Sequence, residues 1–268
     1  MNGKKSWPLL TAVPLSVGLM LFTALLPRVS LSADIAGSAV AQSCEACQQF
    51  DRLNTLIRDR KIAKAEARKE VRALLPVIRE YAVHHGAGEY PRGRWVFPVE
   101  GLTMKSAGDN RGADYVPSGY DYFDGNAHRG HPAYDLFIHD RRHDSLDDRT
   151  GREVSVLSMT GGIVVAVERE WDTRSRLRGG KYIWIYDISS EALVYYAHNR
   201  EILVGVGDIV KPGDTIAKVG RTGYNAYKKR SPTHLHLSFL RVKDGYPKPE
   251  NIYRELMRAA TVPANGSP

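Results

Sequence analysis

From about Trp95 onward the chain breaks into short runs rich in β-branched and aromatic residues, and this punctuation limits the fold more than any other feature. The runs are Trp95-Val96-Phe97-Pro98-Val99, Ser155 to Leu157, Gly162 to Val167, Tyr182 to Tyr186, Leu193 to Ala197 and Thr215 to Val219. Glycine, proline and aspartate separate them. Each run has the length of a strand and is too short for a stable amphipathic helix, so the pattern predicts a mainly β, antiparallel, sandwich-like domain. Two long irregular stretches, Gly101 to Gly130 and Glu168 to Gly180, interrupt the strands, and loops of that length in a compact domain usually carry function or move. The last run, Pro232 to Phe239, alternates polar and apolar residues and carries two histidines. Strand side chains repeat every second residue, which puts His234 and His236 on one face with Cα atoms roughly 7 Å apart.

The segment before Trp95 has another texture. Between Gln48 and His84, Phe50, Leu53, Leu56 and Ile57 share one helical face, and Val71, Leu74, Leu75, Ile78 and Ala82 share a second. The charged stretch beginning Arg58-Asp59-Arg60-Lys61 leaves one long helix and a hairpin both open. Pro76 lies inside the second stripe and predicts a kink or a shortened helix. This segment reads as a packing element with a solvated charged face, or as a piece that shields the groove of the β domain. His85-Gly86-Ala87-Gly88 ends the helical pattern.

The beginning of the chain addresses a compartment. Lys4 and Lys5 precede an unbroken apolar run from Leu15 to Leu26, with small residues at Ser30, Ser32 and Ala33. This is the layout of an export signal. Counted from Trp7 the apolar stretch reaches about 20 residues, so an uncleaved anchor is the competing reading. Either way the remainder is expected to be exported, to the periplasm or cell envelope. In an oxidising compartment the only two cysteines, Cys44 and Cys47, are expected to close a structural disulfide, with redox activity as the alternative. The formal net charge of +8 favours an anionic partner, such as an envelope surface or an acidic wall polymer. Nucleic acid would account for the charge but not for the histidines, and export argues against it.

Three stretches carry chemistry: His131-Pro132-Ala133-Tyr134-Asp135, Tyr195-Tyr196-Ala197-His198, and the His-x-His of the last run. Neutral imidazole and carboxylate are the usual ligands of catalytic zinc, which commonly takes three protein ligands and a water. His131 and Asp135 would stand roughly 13 Å apart on an extended strand, so both reach one ion only if the chain bends between them. Pro132 helps such a bend. His128 is a weaker alternative to His131. His139 and His143, in an Asp- and Arg-rich loop, read as solvated surface or a secondary metal site. The Arg174 to Arg178 loop and Lys228-Lys229-Arg230 read either as a steering surface for an anionic polymer or as ordinary charged surface.

Between the second and third stretches lies Val206-Gly207-Asp208-Ile209-Val210-Lys211-Pro212-Gly213-Asp214-Thr215-Ile216. It resembles the Gly-Asp-x-Val-x-x-Gly hammerhead of biotinyl and lipoyl carriers and of a group of zinc peptidases. A carrier presents a lysine at a hairpin tip, and the nearest pair here, Met104-Lys105, precedes the hammerhead. In their order, the four motifs resemble the lysostaphin-type zinc metallopeptidases that cut peptidoglycan, whose pattern runs His-x-Gly-x-Asp, Tyr-x-His, Gly-Asp-x-Val-x-x-Gly, His-Leu-His. The resemblance covers about Trp95 to Leu240 and extends to Trp95-Val96-Phe97-Pro98-Val99-Glu100-Gly101, similar to the opening strand of such domains. It implies one zinc ion per chain held by His131, Asp135 and His236. It also implies that His198 and His234 handle protons and stabilise the oxyanion, with the division between them open. Ala133 stands where the family usually has glycine, and no Phe-Gly-x-Arg follows Gly101.

These features predict an exported zinc endopeptidase acting on peptide cross-links or stem peptides of peptidoglycan. The alternative is a wall-binding module or hydrolase activator on the same scaffold. The expected layout is a signal peptide or anchor over 1–33, a helical pre-domain with the Cys-x-x-Cys over 34–92, the zinc peptidase domain over 93–253, and a tail over 254–268.

Overall fold

The computed structural model describes Gly3, residues 43–107 and residues 112–264. The expected signal or anchor segment therefore lies outside the described residues, apart from Gly3. Gln42–Pro268 forms one compact unit.

The two apolar stripes form a helical hairpin. Helix α1 (Glu45–Arg58) and helix α2 (Lys64–His84) are separated by a turn in which Arg60 takes φ 58°. Cys44 and Cys47 are joined in a disulfide at the start of α1, and Cys44 Sγ accepts a hydrogen bond from the Cys47 N–H at 3.1 Å. Phe50, Leu53 and Ile57 of α1 and Val71, Leu75, Ile78 and Ala82 of α2 are buried, whereas Leu56 is exposed. Pro76 does not end α2, which runs on through it. A proline removes one backbone donor, but the buried face on both sides of it holds the helix, because packing contributes more to helix stability than local propensity does.

The β residues form two antiparallel sheets. Strands β1 (Tyr134–Phe137), β3 (Gly162–Glu168), β4 (Lys181–Asp187), β5 (Ala192–Asn199), β7 (Ile209–Val210) and β9 (His234–Lys243) run in the order β1-β9-β5-β4-β3-β7. Strand β10 (Tyr246–Pro249) pairs with the far half of β9. Strands β2 (Ser155–Leu157), β6 (Glu201–Ile202) and β8 (Thr215–Lys218) form a smaller sheet in the order β2-β8-β6. The expected opening strand is not one. Trp95 to Val99 makes only single bridges, Val96 to Ala260 and Val99 to Val156. Pro98 has no N–H to extend a ladder, although its carbonyl accepts from the Leu157 N–H.

Alternation gives the large sheet two different faces. Ile183, Ile185, Val194, Tyr196, Leu235, Leu237 and Phe239 turn to the small sheet and pack with Val156, Ile216 and Ala217. The opposite face presents Ile163, Val165, Trp184, Leu193 and Leu240, which pack against α1 and α2. Along β9 this second face reads His234, His236, Ser238, Leu240. The hairpin covers its apolar end, and the histidines stand at the other.

Candidate active site

Strand pairing brings the first three groups together. β9 lies between β1 and β5, with Asp135 paired to His236 across one ladder and Ala197 paired to His236 across the other. Directly opposed residues on one face hold their Cβ atoms close, and Asp135 Oδ1 lies 3.0 Å from His236 Nδ1. His131 precedes β1, in a bridge to Val116. Its Nε2 is 3.3 Å from Asp135 Oδ1, so the chain bends between them as expected. Just before His131, Gly130 takes φ 72° and has no room for a Cβ beside the carbonyls of Val116 and Ser118. Ala133 is fully buried and is not among the positive-φ residues, so alanine fits where a glycine was expected.

The remaining two imidazoles face the same point. The rings of His198 and His234 are 4.8 Å apart, and His198 lies 5.4 Å from His236. His198 lies in β5 just beyond its last pair with β9 and takes φ 68°, a left-handed conformation that is costly for a residue with a side chain and that marks functional sites. Three of the histidines direct Nδ1 to a backbone carbonyl at 2.8 Å: His131 to Asp114, His198 to Thr222 and His234 to Pro232. A carbonyl only accepts, so each Nδ1 carries the proton and each Nε2 keeps its lone pair. His236 instead turns Nδ1 to Asp135.

Burial and neighbours set the charges. Burial alone would raise the Asp135 pKa, but the His131 and His236 imidazoles outweigh it and hold the carboxyl well below the usual range. Burial opposes charge on His131 too, yet Asp135 beside it leaves its pKa above the ordinary value. His198 is pushed well below the imidazole range by burial and then by the two neighbouring imidazoles. His236 is lowered by burial, with Asp135 opposing.

His131, Asp135 and His236 offer ligand atoms that all lie within 4.8 Å of one another. Zinc bonds of about 2.0–2.1 Å in tetrahedral geometry place ligand atoms about 3.3 Å apart, close to the two separations to Asp135 Oδ1. Two nitrogens and one carboxylate oxygen are the donor set of a catalytic zinc site, so the residues fit the ion. His128 is not in this group. Its Nδ1 faces its neighbour's carbonyl, and burial and Arg178 lower its pKa to about 4. His139 lies against the Arg149 guanidinium, a poor companion for a cation.

Residues 141–249 match the model of peptidase family M23. That stretch, a little under half of the chain, is similar to peptidase family M23. The match takes in His198, His234 and His236 and begins beyond His131 and Asp135. Among solved structures, the catalytic domain of the antimicrobial peptidase lysostaphin from Staphylococcus simulans is 25% identical, over 38% of this chain and 69% of that one, with a TM-score of 0.29. A structure described as the antimicrobial peptidase lysostaphin is 24% identical over 48% of this chain and 45% of that one, with a TM-score of 0.34. A zinc containing peptidase from Vibrio cholerae is 23% identical over 45% of this chain and 35% of that one, with a TM-score of 0.28. The chain thus spans about half or less of the length of the last two.

The site also uses residues that the motifs do not announce. Thr222 supplies the carbonyl for His198, and Gly223 (φ 117°) passes so close that a Cβ there would stand 2.8 Å from His198 Nδ1 and 2.4 Å from the Arg178 carbonyl. Arg221 donates to Ser231 O, Thr233 Oγ1 and Lys228 O at 2.7, 3.0 and 3.0 Å, pinning the loop that leads into His234. Asp140 accepts from the Thr233 hydroxyl at 2.6 Å and from the Ser145 N–H at 2.8 Å. The Gly-Arg-Thr-Gly run at 220–223 was the available signal, a glycine pair shortly after the hammerhead.

Proposed function

We propose that the chain is an exported zinc endopeptidase that hydrolyses peptide cross-links or stem peptides of peptidoglycan. The observation that carries this reading is the convergence of a His-Asp-His ligand set and two further imidazoles on one sheet face. His131 Nε2, Asp135 Oδ1 and His236 Nδ1 would hold the ion. The chemistry supplied by a bound zinc is polarisation of a carbonyl and acidification of water at neutral pH. His198 and His234 each present an Nε2 lone pair, fixed by the carbonyl behind the ring, so the pair accepts a proton from the nucleophile and returns it to the leaving amine. Once protonated, the same nitrogens donate to developing negative charge on the carbonyl oxygen. The cavity around them has a volume of about 250 Å³ and no glutamate in its lining, which leaves proton handling to the imidazoles.

Export is supported by the basic and apolar start of the sequence and by the Cys44–Cys47 disulfide, a bond that persists in oxidising compartments. The net charge of +8 suits an anionic envelope surface. The test is incubation of the purified protein with peptidoglycan, with chelator and after restoring zinc, with released fragments identified by mass. New amino termini on peptide fragments, lost with chelator and regained with zinc, are expected. A folded, zinc-loaded protein that opens no peptide bond in any wall preparation would overturn the reading.

A further inference from the structure

We infer that a chamber beside the histidine centre receives a small substrate residue bearing a free carboxylate, and that Arg178 is the charge that binds it. The inference rests on the peptidase reading and narrows its substrate. The chamber has a volume of about 80 Å³ and lies between α1, the 120–128 segment, the 177–179 segment and a sheet floor that includes Tyr182, Trp184 and Tyr195. It shares His128, Arg178, Gly179, Tyr195 and His236 with the cavity that holds the five site residues, so the two spaces adjoin at His236. Its outer wall is tied together by Asn126, whose Oδ1 accepts from the Arg178 N–H at 2.9 Å and whose Nδ2 donates to the Arg176 carbonyl at 3.1 Å.

Charge decides what such a space takes. Its lining contains no aspartate or glutamate and two arginines. Arg58 is already neutralised by Asp59 and Glu168. Among the described residues Arg178 has no carboxylate partner, and its NH1 donates to the neutral carbonyl of His128 at 2.7 Å. A partly buried guanidinium without a counter-ion is costly, and its planar fork matches a carboxylate. A water needs about 10–15 Å³ in this measure of volume, so the chamber has room for about six waters, enough for one small residue. A peptide whose scissile bond lies at the histidines would reach the chamber with the residue next to that bond. On such a substrate the peptidase would act as a carboxypeptidase, cutting one residue from a free carboxylate, as at the end of a stem peptide.

The experiment uses the full chain loaded with zinc and two alanine-terminated tripeptides that differ only in a free carboxylate or a carboxamide at the end. Cleavage is measured alongside binding of the corresponding acid and amide product fragments, followed by Trp184 fluorescence. We expect the acid to be favoured by about 10-fold in kcat/KM, mostly through KM, the order of one charge-assisted contact. Arg178→Gln should abolish the preference with zinc content and thermal unfolding unchanged, and Arg178→Lys should retain part of it. Equal handling of acid and amide by the wild type, or an acid preference that survives in Arg178→Gln, would overturn the inference. If Arg178→Gln does not fold, the wild-type comparison still decides. If neither tripeptide is cut, the binding arm decides the chamber separately, because acid-selective binding supports it and equal binding rejects it.

Discussion

His236 and His198 lie 5.4 Å apart and should respond to substitution in opposite ways. Replacing His236 by Ala removes one of three proposed ligands and should lower zinc affinity strongly, read by elemental analysis after dialysis. Replacing His198 by Ala should leave zinc bound and slow turnover by about 100-fold or more, the order for losing a proton carrier or oxyanion donor. A folded His198→Ala protein with normal zinc and undiminished activity would show that another histidine does this work. Gly223→Ala tests the packing behind that ring. The added methyl group meets the His198 imidazole and the Arg178 carbonyl at a φ that favours glycine. It should retain the ligand trio but lose activity, and an unchanged rate would mean that the His198 ring has freedom to move.

At the scale of the elements, the loop between β8 and β9 holds both unliganded imidazoles through their acceptor carbonyls, those of Thr222 and Pro232. Arg221 clamps it. Arg221→Met should cost about 2–3 kcal/mol by freeing several partly buried acceptors, and it should slow turnover while zinc stays bound. Arg221→Lys should recover part of both, measured as chemical unfolding and kcat. Asp140 anchors the same loop from the other side. Burial would raise its pKa, but the Thr233 hydroxyl and backbone N–H groups outweigh burial and lower it. A carboxylate depressed in the folded state contributes stability that is present above its unfolded pKa, near 4, and lost as pH falls through the folded value. The Asp140→Asn protein should therefore show a flatter loss of thermal stability between about pH 5 and pH 3 than the wild type. A curve parallel to the wild type over that window would remove Asp140 from the account.

Across the whole molecule, the helical hairpin and the peptidase sheet share one buried cluster. Phe50 is fully buried there, together with Val165, Trp184 and Leu193 of the sheet. Phe50→Ala should cost about 3–5 kcal/mol, and it should lower a single unfolding transition recorded for both the helical signal and Trp184 fluorescence. Two separate transitions, with the fluorescence change unmoved, would show that the hairpin folds independently of the sheet. The same hairpin walls the chamber beside His236, so loosening it should weaken substrate binding more than the chemical step. That expectation is checked by KM and kcat measured below the unfolding range.

The short runs, the two helical stripes and the four motifs were legible because each is a local periodicity or spacing, fixed by the geometry of one strand, helix or turn. His131, Asp135, His198, His234 and His236 could all be named on that basis together with the family resemblance. Trp95 to Val99 was read as a strand because propensity does not register that Pro98 has no donor. Pro76 predicts a kink or a shortened helix, and local rules do not register the burial that carries α2 on through it to His84. What the linear order leaves open are consequences of pairing over long separations. The contact between Asp135 and His236 joins residues 101 apart in sequence. It exists only because β9 enters the sheet between β1 and β5. The left-handed turn at His198, the Arg221 clamp, and the chamber that places Arg178 beside His236 arise the same way, from segments that meet only when the sheet and the hairpin bury their shared apolar face.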